Sequence, residues 1–185
     1  MISRKALLVI DMQKGSFTEA TPRHNTQRVV QIINSLATSF RAKSWPVLFV
    51  QHDGSAMNEF MPFTMEWELL DDLEIDPNDV RIDKYANDVF YRSELVQKLD
   101  MLAINDLVIT GCATDFCVES TIQSAVPKDY NVTVIEDGHT TGNRPSMRAK
   151  QVINHYNWVW KNMIPTKGKI EVLPYQLFLQ QLLNN

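Results

Sequence analysis

The chain has 185 residues, of which 44% are hydrophobic and 22% are charged, and its net charge is −4. This length fits one domain with a single core, so we predict one domain over residues 1–185. The small negative charge and the scattered basic residues exclude recruitment of nucleic acid or an anionic membrane by bulk electrostatics. Two cysteines are too few for a disulfide framework.

The N-terminal apolar stretch Ala6–Ile10 is too short for a signal peptide and runs directly into an aspartate. No apolar run approaches the roughly 20 residues that a membrane-spanning helix needs. We therefore expect a cytoplasmic protein with no membrane partner.

Short β-branched runs alternate with longer amphipathic stretches along the whole chain. In chain order, the predicted elements are strand Lys5–Asp11, helix Arg28–Lys43, strand Val47–Gln51, the irregular segment Gly54–Asp79, strand Val80–Lys84, helix Ser93–Ala103 with Ser93 as its N-cap, strand Asp106–Thr110, helix Asp115–Val126, strand Asn131–Glu136, helix Ser146–Trp158, strand Ile170–Leu173 and helix Tyr175–Leu183. The irregular segment is interpreted as a lid or pocket loop.

Buried apolar strands that alternate with helices predict a parallel sheet covered on both faces. Right-handed crossovers then give a three-layer α/β/α, doubly wound, Rossmann-like fold with a mostly parallel six-stranded sheet. In such a sheet the ligand crevice lies outside the carboxyl ends of the strands, where the strand order reverses.

Three reactive side chains fall at these predicted strand ends: Asp11 after the first strand, Lys84 after the third and Cys117 just past the fourth. Each has an ordinary structural explanation, as a helix cap, a surface lysine and a core thiol respectively. Their coincidence favours a reactive site. A cysteine that opens a helix meets free N–H groups and the positive end of the helix dipole, which favour a thiolate.

Several motifs in order resemble the isochorismatase-like cysteine hydrolases, a group that includes nicotinamidases and N-carbamoyl amidohydrolases. The motifs are ALLVIDMQ at Ala6–Gln13, Asp83-Lys84, TGCATDFCV at Thr110–Val118 and DGHTT at Asp137–Thr141. The resemblance implies that Asp11, Lys84 and Cys117 form a catalytic triad. It also implies a cis peptide bond between Cys112 and Ala113, and an oxyanion hole formed by the N–H groups of Ala113 and Cys117.

The implied reaction is acyl transfer on a small amide or N-carbamoyl compound. Cys117 attacks the carbonyl, Asp11 passes the proton to the leaving nitrogen, and water activated by Asp11 hydrolyses the thioester. No metal or organic cofactor is needed. The sequence lacks the Asp-x-His metal motif of nicotinamidases, because Gln51-His52-Asp53-Gly54 follows the second strand. Cys117 also argues against isochorismate hydrolysis, whose enzymes lack the nucleophilic cysteine.

Aromatic and polar residues near the predicted crevice are candidates for the substrate pocket. These candidates are Phe17, His52, Phe90 and Phe116. Substrate specificity is expected in the loop Gly54–Trp67, whose methionines and aromatics could equally form a subunit contact. Family members are commonly dimers or tetramers, so the resemblance implies a homodimer or homotetramer.

Nearby residues receive structural interpretations: Thr114 and Asp115 as helix caps, Cys112 as packing, and His139 as fixing the geometry of a turn after the fifth strand. Two other classes of function stay open. The chain could keep the fold as a non-catalytic binding module, or it could be a redox sensor that uses Cys112 and Cys117. The intact set of three reactive residues favours catalysis.

Overall fold

In the computed structural model, which describes residues 4–184, six parallel strands form one sheet. They are β1 (Lys5–Ile10), β2 (Val47–His52), β3 (Val80–Lys84), β4 (Asp106–Cys112), β5 (Asn131–Thr140) and β6 (Ile170–Leu173). Their spatial order is β3-β2-β1-β4-β5-β6, and each neighbouring pair is parallel. The order reverses between β1 and β4, which confirms the predicted doubly wound sheet.

Five α-helices cover the two faces of this sheet and bury two apolar cores. The helices are α1 (Thr26–Ala42), α2 (Leu95–Met101), α3 (Glu119–Ala125), α4 (Ala149–Lys161) and α5 (Tyr175–Leu183). Buried side chains of α1 and α5 pack in one core, and those of α2, α3 and α4 pack in the other. The three-layer α/β/α arrangement is therefore confirmed.

Strand β1 explains why its sequence is a continuous apolar run. Ala6, Leu8 and Ile10 contribute to one core, whereas the alternate residues Leu7 and Val9 contribute to the other. Successive side chains of a strand point to opposite faces, so a strand covered on both sides needs an apolar residue at every position.

Strands β1 and β4 approach each other closely at Gly111, which pairs with Ile10. Gly111 has a φ of +122°, and a Cβ atom built on it would lie 2.1 Å from the carbonyl oxygen of Ile10. Only glycine satisfies both the backbone conformation and this approach. The next residue after Ile10 is Asp11, so this contact lies directly beside the candidate site.

Four helix starts differ from the sequence prediction. Helix α1 begins at Thr26 rather than at Arg28, and α3 begins at Glu119 rather than at Asp115 because a π-helical turn, Thr114–Val118, precedes it. Helix α2 begins at Leu95 after the N-cap residue Glu94, while the Ser93 hydroxyl accepts a hydrogen bond from the Leu95 N–H and donates one to the Val89 carbonyl. Helix α4 begins at Ala149 rather than at Ser146, which lies within the isolated bridge between Arg144 and Met147.

Strand β5 is longer than predicted and is irregular in its middle. Its pairing with β4 shifts register, so that Ile109 faces Val134 but Gly111 faces His139. Such a bulge lets the strand resume after an interruption of its pairing. His139 therefore lies in the strand and not in the predicted turn, because β5 continues to Thr140.

Among the helices of residues 4–184, none combines the length and the apolar character required to cross a bilayer.

Candidate active site

The structure brings together the three reactive residues from three different elements. Asp11 follows β1, Lys84 is the last residue of β3, and Cys117 lies in a π-helical turn, Thr114–Val118, that connects β4 to α3. Lys84 Nζ is 2.8 Å from Asp11 Oδ2 and 3.3 Å from Cys117 Sγ. One ammonium group therefore contacts both the carboxylate and the sulfur.

Lys84 is fully buried, and its ammonium group has three acceptors. Besides Asp11 and Cys117, Nζ donates to the carbonyl oxygen of Ala86 at 2.8 Å. Three N–H bonds thus have three partners, which a buried ammonium requires. The burial and the full set of partners fix the position of this charge.

Only one of the two oxygens of the Asp11 carboxylate is paired with a neighbouring side chain. Asp11 is 6% exposed; Oδ2 binds Lys84, but Oδ1 is buried and has no hydrogen-bond partner within residues 4–184. The backbone of Asp11 is in the left-handed region at a φ of 46°, and its N–H donates to the Val50 carbonyl. One carboxylate oxygen therefore remains able to accept a proton.

The electrostatics of Cys117 differ from the expectation based on the helix start. Burial, reinforced by the Asp11 carboxylate, raises the pKa of the Cys117 thiol, and Lys84 lowers it without reversing the shift. Cys117 is the fourth residue of the π-helical turn, away from its first N–H groups. The resting sulfur is therefore a thiol, which needs a base when it attacks.

Lys84 keeps its proton in this environment. Burial lowers the pKa of Lys84, but the Asp11 carboxylate and the Cys117 sulfur outweigh that effect and raise the pKa above its usual value. The group beside the thiol is thus a permanent cation at neutral pH.

A cavity of about 200 Å³ opens on this cluster. Its walls include five predicted site residues: Asp11, His52, Ala113, Phe116 and Cys117. The peptide bond between Cys112 and Ala113 is cis, as the resemblance implies. A cavity of this size that exposes a thiol and a carboxylate can hold a small molecule against both.

Two of the predicted pocket residues lie elsewhere. Phe90 is 8% exposed and packs in the core formed with α2–α4, where its ring centroid is 5.5 Å from that of Tyr130. Phe17 packs against the core formed with α1 and α5. Neither residue is among those that line the cavity beside Cys117, because proximity in sequence to a strand end did not determine the direction of either side chain.

Other cavity residues were not predicted from the sequence. They are Gln13, Ser16, Arg23 and Asn87, which lie outside the loop Gly54–Trp67. Phe60, an aromatic residue of the loop in which substrate specificity was expected, also lines the cavity. A periodicity signal could not find the four that lie outside this loop, because they come from irregular segments and from the 3-10 turn Lys14–Ser16.

Gln13 connects this loop to the end of β2. Its amide Nε2 donates to the carbonyl oxygens of His52 and Trp67 at 3.1 and 3.0 Å, and its Oε1 accepts from the His52 N–H at 2.7 Å. Gln13 is fully buried. It therefore fixes the two ends of the loop that carries Phe60 into the cavity.

His52 lies in the cavity wall with its imidazole half-buried. Burial lowers the pKa of His52, and the nearby Lys84 lowers it further. Its Nδ1 is buried without a partner among residues 4–184. His52 is therefore neutral at pH 7, with a ring nitrogen free beside the site.

Thr114 and Asp115 do not cap the helix, since the N-cap is Ala113 without a side-chain hydrogen bond. The Thr114 hydroxyl binds His139 Nδ1 at 2.9 Å, and Asp115 binds Arg144 through both carboxylate oxygens. Their side chains instead attach the π-helical turn to β5 and to the segment after it, because buried partners there compete with the cap.

His139 has a structural role, but it makes its contacts within the core and does not fix the geometry of a turn. It is 2% exposed, and its Nε2 lies 3.0 Å from Asn157 Oδ1. Burial lowers the pKa of His139 to about 4, so its ring is neutral at pH 7.

Cys112 is 1% exposed in the core formed with α1 and α5, which agrees with its interpretation as packing. Burial raises the pKa of its thiol to about 12. Both cysteines are free, so neither is in a disulfide.

Across the described residues 4–184, no group of three or more His, Cys, Asp or Glu side chains is arranged to hold a metal ion.

Comparisons of the sequence and of the structure with known proteins point to the same family. The family model described as the isochorismatase domain matches residues 5–160. The uncharacterized isochorismatase family protein YddQ of Bacillus subtilis is 30% identical over 139 residues, which cover 74% of this chain and 77% of YddQ. A crystal structure of an isochorismatase family protein superposes with a TM-score of 0.85 at 28% identity, covering 91% of this chain and 97% of the other.

A named enzyme is similar over a shorter stretch. Ureidoacrylate amidohydrolase RutB of Caulobacter vibrioides is 41% identical over 78 residues, which cover 42% of this chain and 35% of RutB. The chain thus matches about a third of the length of that relative.

Proposed function

The chain belongs to the isochorismatase family of hydrolases, and from that premise we propose that it is a metal-independent cysteine hydrolase that cleaves a C–N bond of a small amide or N-carbamoyl compound. The observation that carries the proposal is the contact of the buried Lys84 ammonium with both Asp11 and Cys117 at the wall of a small cavity. The name of RutB, an amidohydrolase, supports a C–N bond as the target.

The first half of the proposed reaction forms a thioester. Cys117 Sγ attacks the carbonyl carbon while Asp11 Oδ1, the oxygen without a partner, accepts the thiol proton. The same proton passes to the leaving nitrogen, which departs as ammonia or an amine. This order fits a thiol whose pKa is raised, since the base acts as the C–S bond forms.

The second half releases the acid. Asp11 takes a proton from water, the hydroxide attacks the thioester carbonyl, and the thiol of Cys117 is restored with that proton. Lys84 orients Asp11 through both halves by its contact with Oδ2, while Oδ1 exchanges the proton. The backbone N–H groups of Ala113 and Cys117 are proposed to stabilise the oxyanion, a contribution of about 3–4 kcal/mol per donor in other enzymes.

Ammonia release from a panel of primary amides and N-carbamoyl compounds tests the proposal. We expect release by the wild type and none by Cys117→Ala. Iodoacetamide labelling provides a second readout: Cys112→Ala retains the label, whereas Cys117→Ala loses it. A Cys117→Ala variant with undiminished release would contradict the proposed nucleophile.

A non-catalytic binding module or a redox sensor predicts different results. The binding module gives no release with any compound, and the redox sensor gives a reversible disulfide between Cys112 and Cys117. The single domain, the cytoplasmic location and the homodimer or homotetramer stay predictions. Met57, Phe63 and Met65 are 76%, 92% and 75% exposed, and they would supply apolar surface for such an interface, which light scattering of the purified protein can test.

A further inference from the structure

Arg23 places an unused positive charge in the wall of the cavity. It lies between the 3-10 turn Lys14–Ser16 and α1, and its side chain is half-buried. Its Nε donates to the carbonyl oxygen of Ser16 at 2.7 Å. The two Nη groups have no hydrogen bond or ion pair within residues 4–184. This bond holds the guanidinium while leaving its outer edge free.

A second guanidinium lies nearby, but its charge is already paired. Arg144 binds Asp115 through Nε and Nη2 at 2.6 and 2.8 Å, and its guanidinium carbon is 4.9 Å from the centre of the Phe116 ring in the cavity wall. A Cβ built on Gly142 would lie 2.9 Å from Nη1 of Arg23 and 3.9 Å from Nη1 of Arg144. Both free Nη1 groups therefore approach the same point.

The charges around the cavity do not balance. Asp11 is the one carboxylate in the described cavity wall, and Lys84 neutralises it. Asp115 neutralises Arg144 in the same way. Arg23 alone has no acidic partner there, so the cavity carries a net positive charge at this side.

A guanidinium with a free edge binds a carboxylate through two parallel N–H···O bonds. We propose that Arg23, with Nη1 of Arg144 beside it, binds a carboxylate of the substrate while Cys117 attacks the amide or carbamoyl carbonyl. The substrate is thus an acid that carries a separate amide or N-carbamoyl group. This inference rests on the proposed function and specifies its substrate class.

Alkylation by two reagents of similar shape tests the charge preference without a known substrate. Iodoacetate and iodoacetamide both form a C–S bond with Cys117 and expel iodide, but only iodoacetate is an anion. We expect the ratio of iodoacetate to iodoacetamide rates to exceed that of a free thiol in solution. Arg23→Gln should lower the ratio about tenfold or more, with the iodoacetamide rate within twofold of wild type. High salt should also lower it in the wild type.

Two variants control this test. Arg28→Gln removes the same charge from an exposed position on α1 outside the cavity and should leave the ratio unchanged. Arg23→Lys keeps the charge without the planar fork and should retain part of the preference. Equal losses with both reagents in Arg23→Gln would mean that Arg23 only supports the loop at Ser16. An unchanged ratio would mean that it does not face the ligand. Either result overturns the proposal.

Binding without turnover separates this inference from the proposed function. In the Cys117→Ala variant, calorimetry should show N-carbamoylglycine binding at least tenfold more tightly than its uncharged amide. Adding Arg23→Gln should abolish that difference. The absence of any difference, or of any binding by both compounds, overturns the carboxylate site. Failure of ammonia release in the wild type, with the preference intact, would instead contradict only the proposed reaction.

Discussion

Replacing Asp11 by asparagine should change the reactivity of the thiol and the turnover of the enzyme in opposite directions. The amide has the same shape as the carboxylate, and asparagine tolerates the left-handed backbone at a φ of 46°. Burial continues to raise the pKa of Cys117 in this variant, but the change removes the negative charge that raises it further and leaves Lys84, which lowers it. It also removes the proposed base.

The size of the effect follows from the geometry. Lys84 Nζ lies 2.8 Å from Asp11 Oδ2 and 3.3 Å from Cys117 Sγ, so the carboxylate and the sulfur are within about 6 Å of each other. At that separation and an effective dielectric constant of about 20, a unit charge contributes about 2.8 kcal/mol. Removing it should lower the pKa of the thiol by about 2. The thiolate fraction near pH 7 then rises by about 100-fold.

The rate of iodoacetamide labelling as a function of pH measures this shift. In Asp11→Asn the midpoint should move to lower pH by about 2 units, while ammonia release falls by about 10²- to 10⁴-fold through loss of the general base. Because an unpaired buried ammonium can cost about 3–5 kcal/mol, a thermal melt must first show that the variant is folded. A folded variant whose midpoint is unchanged or moves to higher pH would refute the assigned electrostatics. Undiminished turnover would refute the base.

Four other substitutions test the roles of individual residues. Lys84→Met should move the labelling midpoint of Cys117 to higher pH, opposite to the change at Asp11, because Lys84 lowers the pKa of that thiol; a shift in the other direction counts against the contact. His139 has a folded-state pKa of about 4, below its value of about 6.5 in an unfolded chain, so its contribution to stability is complete above about pH 6.5 and is lost as the pH falls toward 4. In urea unfolding, the free energy of unfolding of the wild type should fall by up to about 3 kcal/mol between about pH 6.5 and pH 4, and that of His139→Asn should not show this fall. If both proteins lose the same stability over this range, the neutral ring is contradicted. Phe90→Ala should cost about 3–5 kcal/mol of unfolding free energy with KM nearly unchanged, whereas Phe60→Ala should raise KM with a smaller loss of stability; the reverse pattern would restore Phe90 to the pocket.

The fold and the reactive cluster could be predicted from the sequence because both depend on periodic patterns. A strand buried on two faces must be apolar throughout, so the point at which β1 stops is marked by the first charged residue, Asp11. The ends of parallel strands lie on one edge of the sheet. The same argument therefore placed Lys84 and Cys117 near Asp11 without information on their side-chain conformations.

The rest of the cavity depends on interactions that have no period. Arg23 and Phe60 come from irregular segments whose course is set by hydrogen bonds such as those of Gln13 with His52 and Trp67. Phe90 is close to a strand end in sequence, but its side chain enters the core. The protonation of Cys117 also followed from depth of burial, which the position of a helix start does not reveal.

The backbone contact at Gly111 limits which residues near the cavity can be changed by engineering. A single methyl group there would collide with the Ile10 carbonyl and displace the chain immediately before Asp11. Arg23 and Phe60, by contrast, belong to irregular segments of the rim that are not paired in the sheet. New specificities can therefore be sought at the rim by substitution, whereas the separation of Asp11 and Cys117 depends on β1 and β4, whose pairing at Gly111 leaves no room for a side chain.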